Sequence, residues 1–257
     1  METSRASIDE CDARSNSAEV AGLQARGGFA HIERSTLNIT GSQVDNNQVN
    51  VTGDVCVVKL LQLGQTNELG AFGGAISAQA ASLKIQKCGF SGNRARNRGS
   101  TGNSFGAAVY IGPDSSNERL IGVSNFSDSN FTENIVRGPK AQGGGVWSGC
   151  RDLQLQGVLL RGNEAQAESD GDAAGGAMFI SSSGSSSRTT ARLWKVDITD
   201  NFARMITTVP KIRLALSANA GGLFVDAGVQ AKLDDCTLRH NAAGGVGLYE
   251  ERWSNAK

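Results

Sequence analysis

One unit recurs six times in this chain of 257 residues: a Gly-rich start, two short apolar strand signals, and an apolar residue three positions before an Asn. The six endings run from Val44 to Asn47, Phe90 to Asn93, Phe131 to Asn134, Leu160 to Asn163, Ile198 to Asn201 and Leu238 to Asn241. A strand repeat of this length cannot bury its apolar face alone. It does so by stacking on its neighbours, so the pattern predicts a solenoid of β coils.

Counting back from each Asn gives the repeat its physical content. Eight residues earlier stand Ile39, Ile85, Phe126, Leu155, Leu193 and Leu233, all apolar. Five residues earlier stand Ser42, Cys88, Ser129, Val158, Val196 and Cys236, none charged, whereas six earlier Gly41, Lys87, Asp128, Gly157, Lys195 and Asp235 belong in water. This alternation has the two-residue period of a strand with one buried face, and no heptad or helical stripe competes with it.

Each unit opens after a Gly pair or its remnant, as in Gly27-Gly28, Gly73-Gly74, Gly106-Ala107, Gly144-Gly145, Gly175-Gly176 and Gly221-Gly222. Glycine takes positive φ without a Cβ penalty, and Asn is the next most tolerant residue, so Gly and Asn are expected at the corners of each coil. From the second Gly to the Asn is 19 residues in Gly28 to Asn47, Gly74 to Asn93 and Gly222 to Asn241, and 18 in Gly145 to Asn163. Two longer units carry turn-like inserts, Gly112 to Asn117 and Ser181 to Ser187. Gly244-Gly245-Val246 reads as the start of a truncated seventh unit.

Gly-Gly-Ala-Ile at 73–76, with Phe-Ser-Gly-Asn at 90–93 and Phe-Thr-Glu-Asn at 131–134, resembles the paired repeat motifs of the chlamydial polymorphic outer membrane proteins. Similar repeats occur in large surface proteins of algae and other protists. The resemblance covers roughly residues 27–249, with Val44, Leu160, Ile198 and Leu238 in place of the motif's Phe. It implies an all-β fold, a right-handed single-stranded parallel β-helix (β-solenoid), in a membrane-associated or extracellular protein acting in adhesion. The bacterial proteins add a secretion signal and a membrane-anchoring β-barrel, and neither pattern is seen here.

Residues 1–25 are rich in Ser, Arg, Asp and Glu and read as a poorly ordered tail or degenerate cap, leaving 26–257 as one β-helix repeat domain. That domain is expected to be a segment of a longer protein. Met1 to Arg26 lacks the apolar stretch of a secretory signal, and the strongest apolar run, Val55 to Leu63, contains Lys59 and is too short to span a membrane. Localisation at the cell surface or outside the cell therefore rests on the resemblance. Four sequons, at Asn38, Asn50, Asn125 and Asn130, would fit a secreted eukaryotic protein, but the Asn, Ser and Thr content of solenoid turns accounts for them more readily.

The chemistry of sites is sparse. Lys plus Arg and Asp plus Glu are 25 each, so no global field recruits nucleic acid. Cys11, Cys56, Cys88, Cys150 and Cys236 form no CxxC; Cys88 and Cys236 align four rungs apart, about 19 Å, and cannot pair. His31 and His240 have no ligand-spaced partners, no Gly-x-Ser-x-Gly elbow occurs, and Gly143-Gly144-Gly145 lacks the Lys of a phosphate loop. No catalytic, cofactor or metal residue is assigned and no cofactor is expected.

Two functional expectations follow. The first is a non-catalytic adhesin-like module or structural spacer, with glycan or a cell-surface protein as partner and end-to-end self-association through its open ends. Its binding candidates are Arg94, Arg96 and Arg98 and the rings of Trp147, Trp194 and Trp253. The second is a polysaccharide lyase or glycoside hydrolase acting on an acidic glycan, for which Asp197, Asp200, Asp234, Asp235 and Arg239 are the candidates, although they form no obvious column.

Overall fold

The computed structural model describes residues 4–20, 24–51, 70–99, 102–112, 122–168, 171–182, 189–206 and 218–246. Every regular element among them is a strand, and the strands pair in parallel into five sheets, here A to E. Sheets A, B and C each hold seven strands; D and E hold six. Each of the first six rungs contributes one strand per sheet and the seventh, among the described residues, one each to A, B and C, which makes the fold a parallel β-helix. The fourth rung shows the order: Val123–Ser127 in A, Asn130–Thr132 in B, Ile135–Gly138 in C, Lys140–Gln142 in D and Val146–Ser148 in E.

The apolar columns read from the sequence are the columns of the structure. Ile39, Ile85, Phe126, Leu155, Leu193 and Leu233 are successive register partners in sheet A, and Val44, Phe90, Phe131, Leu160, Ile198 and Leu238 in sheet B. Phe90 and Phe131 stack in that interior with ring centroids 5.0 Å apart. Both columns are buried through the sixth rung; Leu233 and Leu238, on the last described rung, are 40% and 49% exposed. Nothing described lies beyond them to cover them.

A second interior, between C and D, is built of small residues such as Ala71, Ala95, Ala141 and Ala165 with Val49 and Val136. A third apolar cluster joins the outward faces of D and E: Phe72, Phe105, Tyr110, Trp147, Phe179 and Phe224. Tyr110, Trp147, Phe179 and Phe224 are register partners, so their rings form a stack along the axis, with Trp147 and Phe179 3° from parallel. The Trp147 ring lies against Gly149, where an added Cβ would meet it at 3.0 Å.

Several readings need correcting. A rung has five strands rather than two, because the Ala-rich C and D strands carry weak strand propensity and leave little apolar contrast. The Asn residues are not the left-handed corners. Positive φ falls on the residue just before each one, at Ser15, Asn46, Gly92, Glu133, Gly162, Asp200 and His240, and again six residues before it, from Glu10 to Asp235. The D-to-E corner is at Gly27, Gly73, Gly106, Gly143, Gly175 and Ala220, so in the fourth and sixth rungs the aligned pairs are Gly143-Gly144 and Ala220-Gly221, each one residue before the Gly pair that the sequence pattern picks out. Gly244 and Gly245 open no new unit. They lie within Ala242–Val246, the sheet C strand of the seventh rung, opposite Arg204 and Met205.

The segment read as a tail or degenerate cap supplies paired strands of a terminal rung, Arg5–Asp9, Asp12–Arg14 and Ser17–Val20. There Ile8 faces Ile39 and Ala13 faces Val44. Cys56, the apolar run 55–63, Trp253, Thr52 of one sequon and most of both inserts lie outside the described residues. No helix among the described residues is long and apolar enough to cross a membrane.

Candidate functional site

The repeat's Asn is buried and fully bonded from Asn47 to Asn201. Asn16, Asn47, Asn93, Asn134, Asn163, Asn201 and Asn241 form a continuous column. Each Nδ2 from Asn16 to Asn201 donates to the Oδ1 of the next Asn at 2.8–3.0 Å, and each backbone N–H donates to the same oxygen at 2.8–3.2 Å. From Asn47 onward the other amide hydrogen goes back to a carbonyl of the preceding rung, Ala13, Val44, Phe90, Phe131, Leu160 or Ile198. An amide with two donors and a two-lone-pair acceptor is the side chain that can satisfy all four positions. A buried polar network with every member satisfied is stabilising where a partly satisfied one is not. Asn16, missed in the sequence because no Gly pair opens its rung, was detectable from Ile8, Cys11 and Ala13 at the repeat's own offsets.

The outward face of sheet C carries a cluster of arginines. Alternation along Arg94–Asn97 buries Ala95 and Asn97 and turns Arg94 and Arg96 outward, with exposed Arg98 just past the strand end. Arg96 faces Arg137 on the next rung, in a column that continues through Gln166 to Arg204. Glu168 lies within reach of both: its Oε1 is 3.7 Å from Arg96 Nη2 and accepts from Arg137 Nε. Arg96 Nε is buried without a hydrogen-bond partner. Partial burial, then the charges of Arg137 and Arg98, push the Arg96 guanidinium below its ordinary range, against the opposing pull of Glu168. Arg204 is 2.9 Å from Glu164 and sits over the Phe202 ring at 4.6 Å. Arg137 was missed in the sequence; it stands three residues after its Asn, as Arg96 does, and reading the column past the Asn finds it.

The other candidates separate. Trp147 is packed, 7% exposed, with its indole N–H donating to Gln142 Oε1 at 3.1 Å, so it presents no open ring to a sugar. Trp194 is 44% exposed on sheet A, with Lys195 Nζ 4.7 Å from its ring centroid. Asp197 lies on sheet B with Oδ1 buried and unpartnered, while Asp200 is a corner residue 3.5 Å from both Arg161 and His240. Asp234 pairs with Lys232 at 2.8 Å and Asp235 is an exposed corner. Among the described residues no three His, Cys, Asp or Glu side chains gather as a metal site.

Among the described residues Cys11, Cys88, Cys150 and Cys236 are free thiols, and Cys11, Cys88 and Cys236 occupy the column five residues before the Asn. Burial pushes the Cys88 and Cys150 thiols up, which makes them poor nucleophiles at neutral pH. Comparison with protein-family models, with characterised proteins and with solved structures returned no match.

Proposed function

We propose that this chain is a non-catalytic β-helix repeat module of the cell surface or extracellular space, an adhesin-like structural spacer. The observation that carries the reading is the unbroken Asn column, which ties seven rungs into one hydrogen-bonded stack while leaving the outward strand positions free to vary. Constant inward columns and variable outward ones suit display along a rigid axis. Labelling intact source cells with a membrane-impermeant amine reagent tests it: the chain should be labelled before lysis. Labelling only after lysis would overturn the surface assignment.

A second reading, a polysaccharide lyase or glycoside hydrolase working along one face, draws on the buried, unpartnered Oδ1 of Asp197. It requires turnover of polygalacturonate or alginate in the presence of calcium, with that turnover lost in Asp197→Asn. No turnover across such acidic glycans would remove it.

A further inference from the structure

Like charges are brought together on sheet C at a place where the fold does not need them. The buried residues of the strand, Ala95 and Asn97, do the packing, and the register neighbours of these arginines on the same sheet include neutral Gln48, Asn50, Ile135 and Gln166, with charged Glu19, Glu164 and Arg204 further along it. Yet Arg94, Arg96, Arg98 and Arg137 cluster on two adjacent rungs, and among the described residues only Glu168 answers them, pairing with Arg96 and Arg137. That leaves three positive charges in excess in a chain whose formal net charge is zero. Arginines held together with a single carboxylate, one of them perturbed by partial burial and by its neighbours, form a candidate binding surface for an anion.

We propose that this face binds an acidic polysaccharide, one bearing carboxylate or sulfate groups at regular intervals, with Arg94, Arg96, Arg98 and Arg137 as its contacts. The proposal rests on the display reading above and names its ligand class. Rungs set arginines about 4.8 Å apart across the sheet, and alternate residues set them about 6.7 Å apart along the strand. The result is a flat lattice of planar forks, each suited to a carboxylate or sulfate. Gln48, Asn50 and Gln166 around it offer amide donors and acceptors for sugar hydroxyls. Glu168 is an internal carboxylate already in the place such a ligand's anion would take, and it restrains two of the four arginines. Base stacking has little to use here, since Phe202 is already covered by Arg204.

The test measures binding of the intact chain to polygalacturonate and to dextran sulfate, with neutral dextran and poly-L-glutamate as comparison polymers. Binding to the two acidic polysaccharides and not to neutral dextran, weakening as salt rises, is expected. Arg94→Ala with Arg98→Ala, both exposed and outside the core, should weaken it at least about fivefold without moving the melting temperature. Glu168→Gln should strengthen it severalfold by releasing Arg96 and Arg137, which a merely structural ion pair would not do.

Equal binding to neutral dextran, unchanged affinity in the Arg94/Arg98 variant, or weaker binding in Glu168→Gln would each overturn the site. Preference for poly-L-glutamate over both polysaccharides would overturn the ligand class in favour of an acidic protein. None of these results touches surface labelling of intact cells, so failure of the site and failure of the display reading are distinguishable.

Discussion

Replacing Asn134 with Ala removes one rung's worth of the Asn column from its middle. The side chain makes four hydrogen bonds: Nδ2 to Asn163 Oδ1 at 2.8 Å and to the Phe90 carbonyl at 3.0 Å, and Oδ1 from the Asn93 N–H at 3.0 Å and the Asn93 Nδ2 at 2.9 Å. At a net value of about 1 kcal/mol each, their loss costs about 4 kcal/mol. Counting orphaned groups gives a compatible figure. The Asn93 N–H and the Phe90 carbonyl lose these partners inside the protein, at about 1–3 kcal/mol apiece. In a domain of this size, about 4 kcal/mol lowers the melting midpoint by about 8–16 °C, readable by circular dichroism.

Asn16→Ala is the internal control. It forfeits the Nδ2 bond to Asn47, while its backbone N–H still reaches the same oxygen, so the loss is about 1 kcal/mol or less. Glu133→Gly separates the ladder from the turn. Glu133 holds φ of +57° and is exposed, so Gly there should stabilise by up to about 1 kcal/mol, whereas Asn134→Gly should cost at least as much as Ala. Equal effects of Asn134→Ala and Asn16→Ala, or stabilisation by Asn134→Gly, would refute the reasoning and restore the Asn to a corner role.

Leu155→Asp places a carboxylate in a column position 2% exposed between Phe126 and Leu193, and the cost should exceed about 4 kcal/mol; a melt matching wild type would show the column is not an interior. Gly74→Ala puts a Cβ 2.3 Å from the Ala107 carbonyl oxygen and 2.4 Å from that of Arg94, so urea unfolding should show a loss of about 1–3 kcal/mol, and no loss would mean the corner has room. Iodoacetamide mapping by mass spectrometry should find Cys88 and Cys150 slow in the native state and fast in urea, with Cys11 and Cys236 ahead of both; rapid native labelling of Cys150 would contradict its burial.

The sheet A and B columns were legible because Ile85, Phe126, Leu155 and their partners contrast sharply with the charged corners Lys87 and Asp128 between them. The C and D strands were not, because Ala95, Ala141 and Ala165 face inward yet carry no strand signature of their own. Asn was found at the right position and given the wrong reason. Both a corner and a ladder select a short polar side chain at a fixed offset, and only the hydrogen bonds between rungs distinguish them. The arginine face was half visible: Arg94, Arg96 and Arg98 adjoin in sequence, but Arg137 and Glu168 join them only through stacking.

Cross-linking by register tests the central claim most directly. Asn125 and Gln154 are exposed Cα partners on adjacent rungs of sheet A, while Gln156 faces the same way two residues further along its strand. With cysteines at 125 and 154, mild oxidation should give a linked peptide pair by mass spectrometry, because neighbouring parallel strands sit within disulfide reach; cysteines at 125 and 156, about 8 Å apart, should not link. Equal linking of both pairs, or of neither, would mean that the rungs do not stack as described.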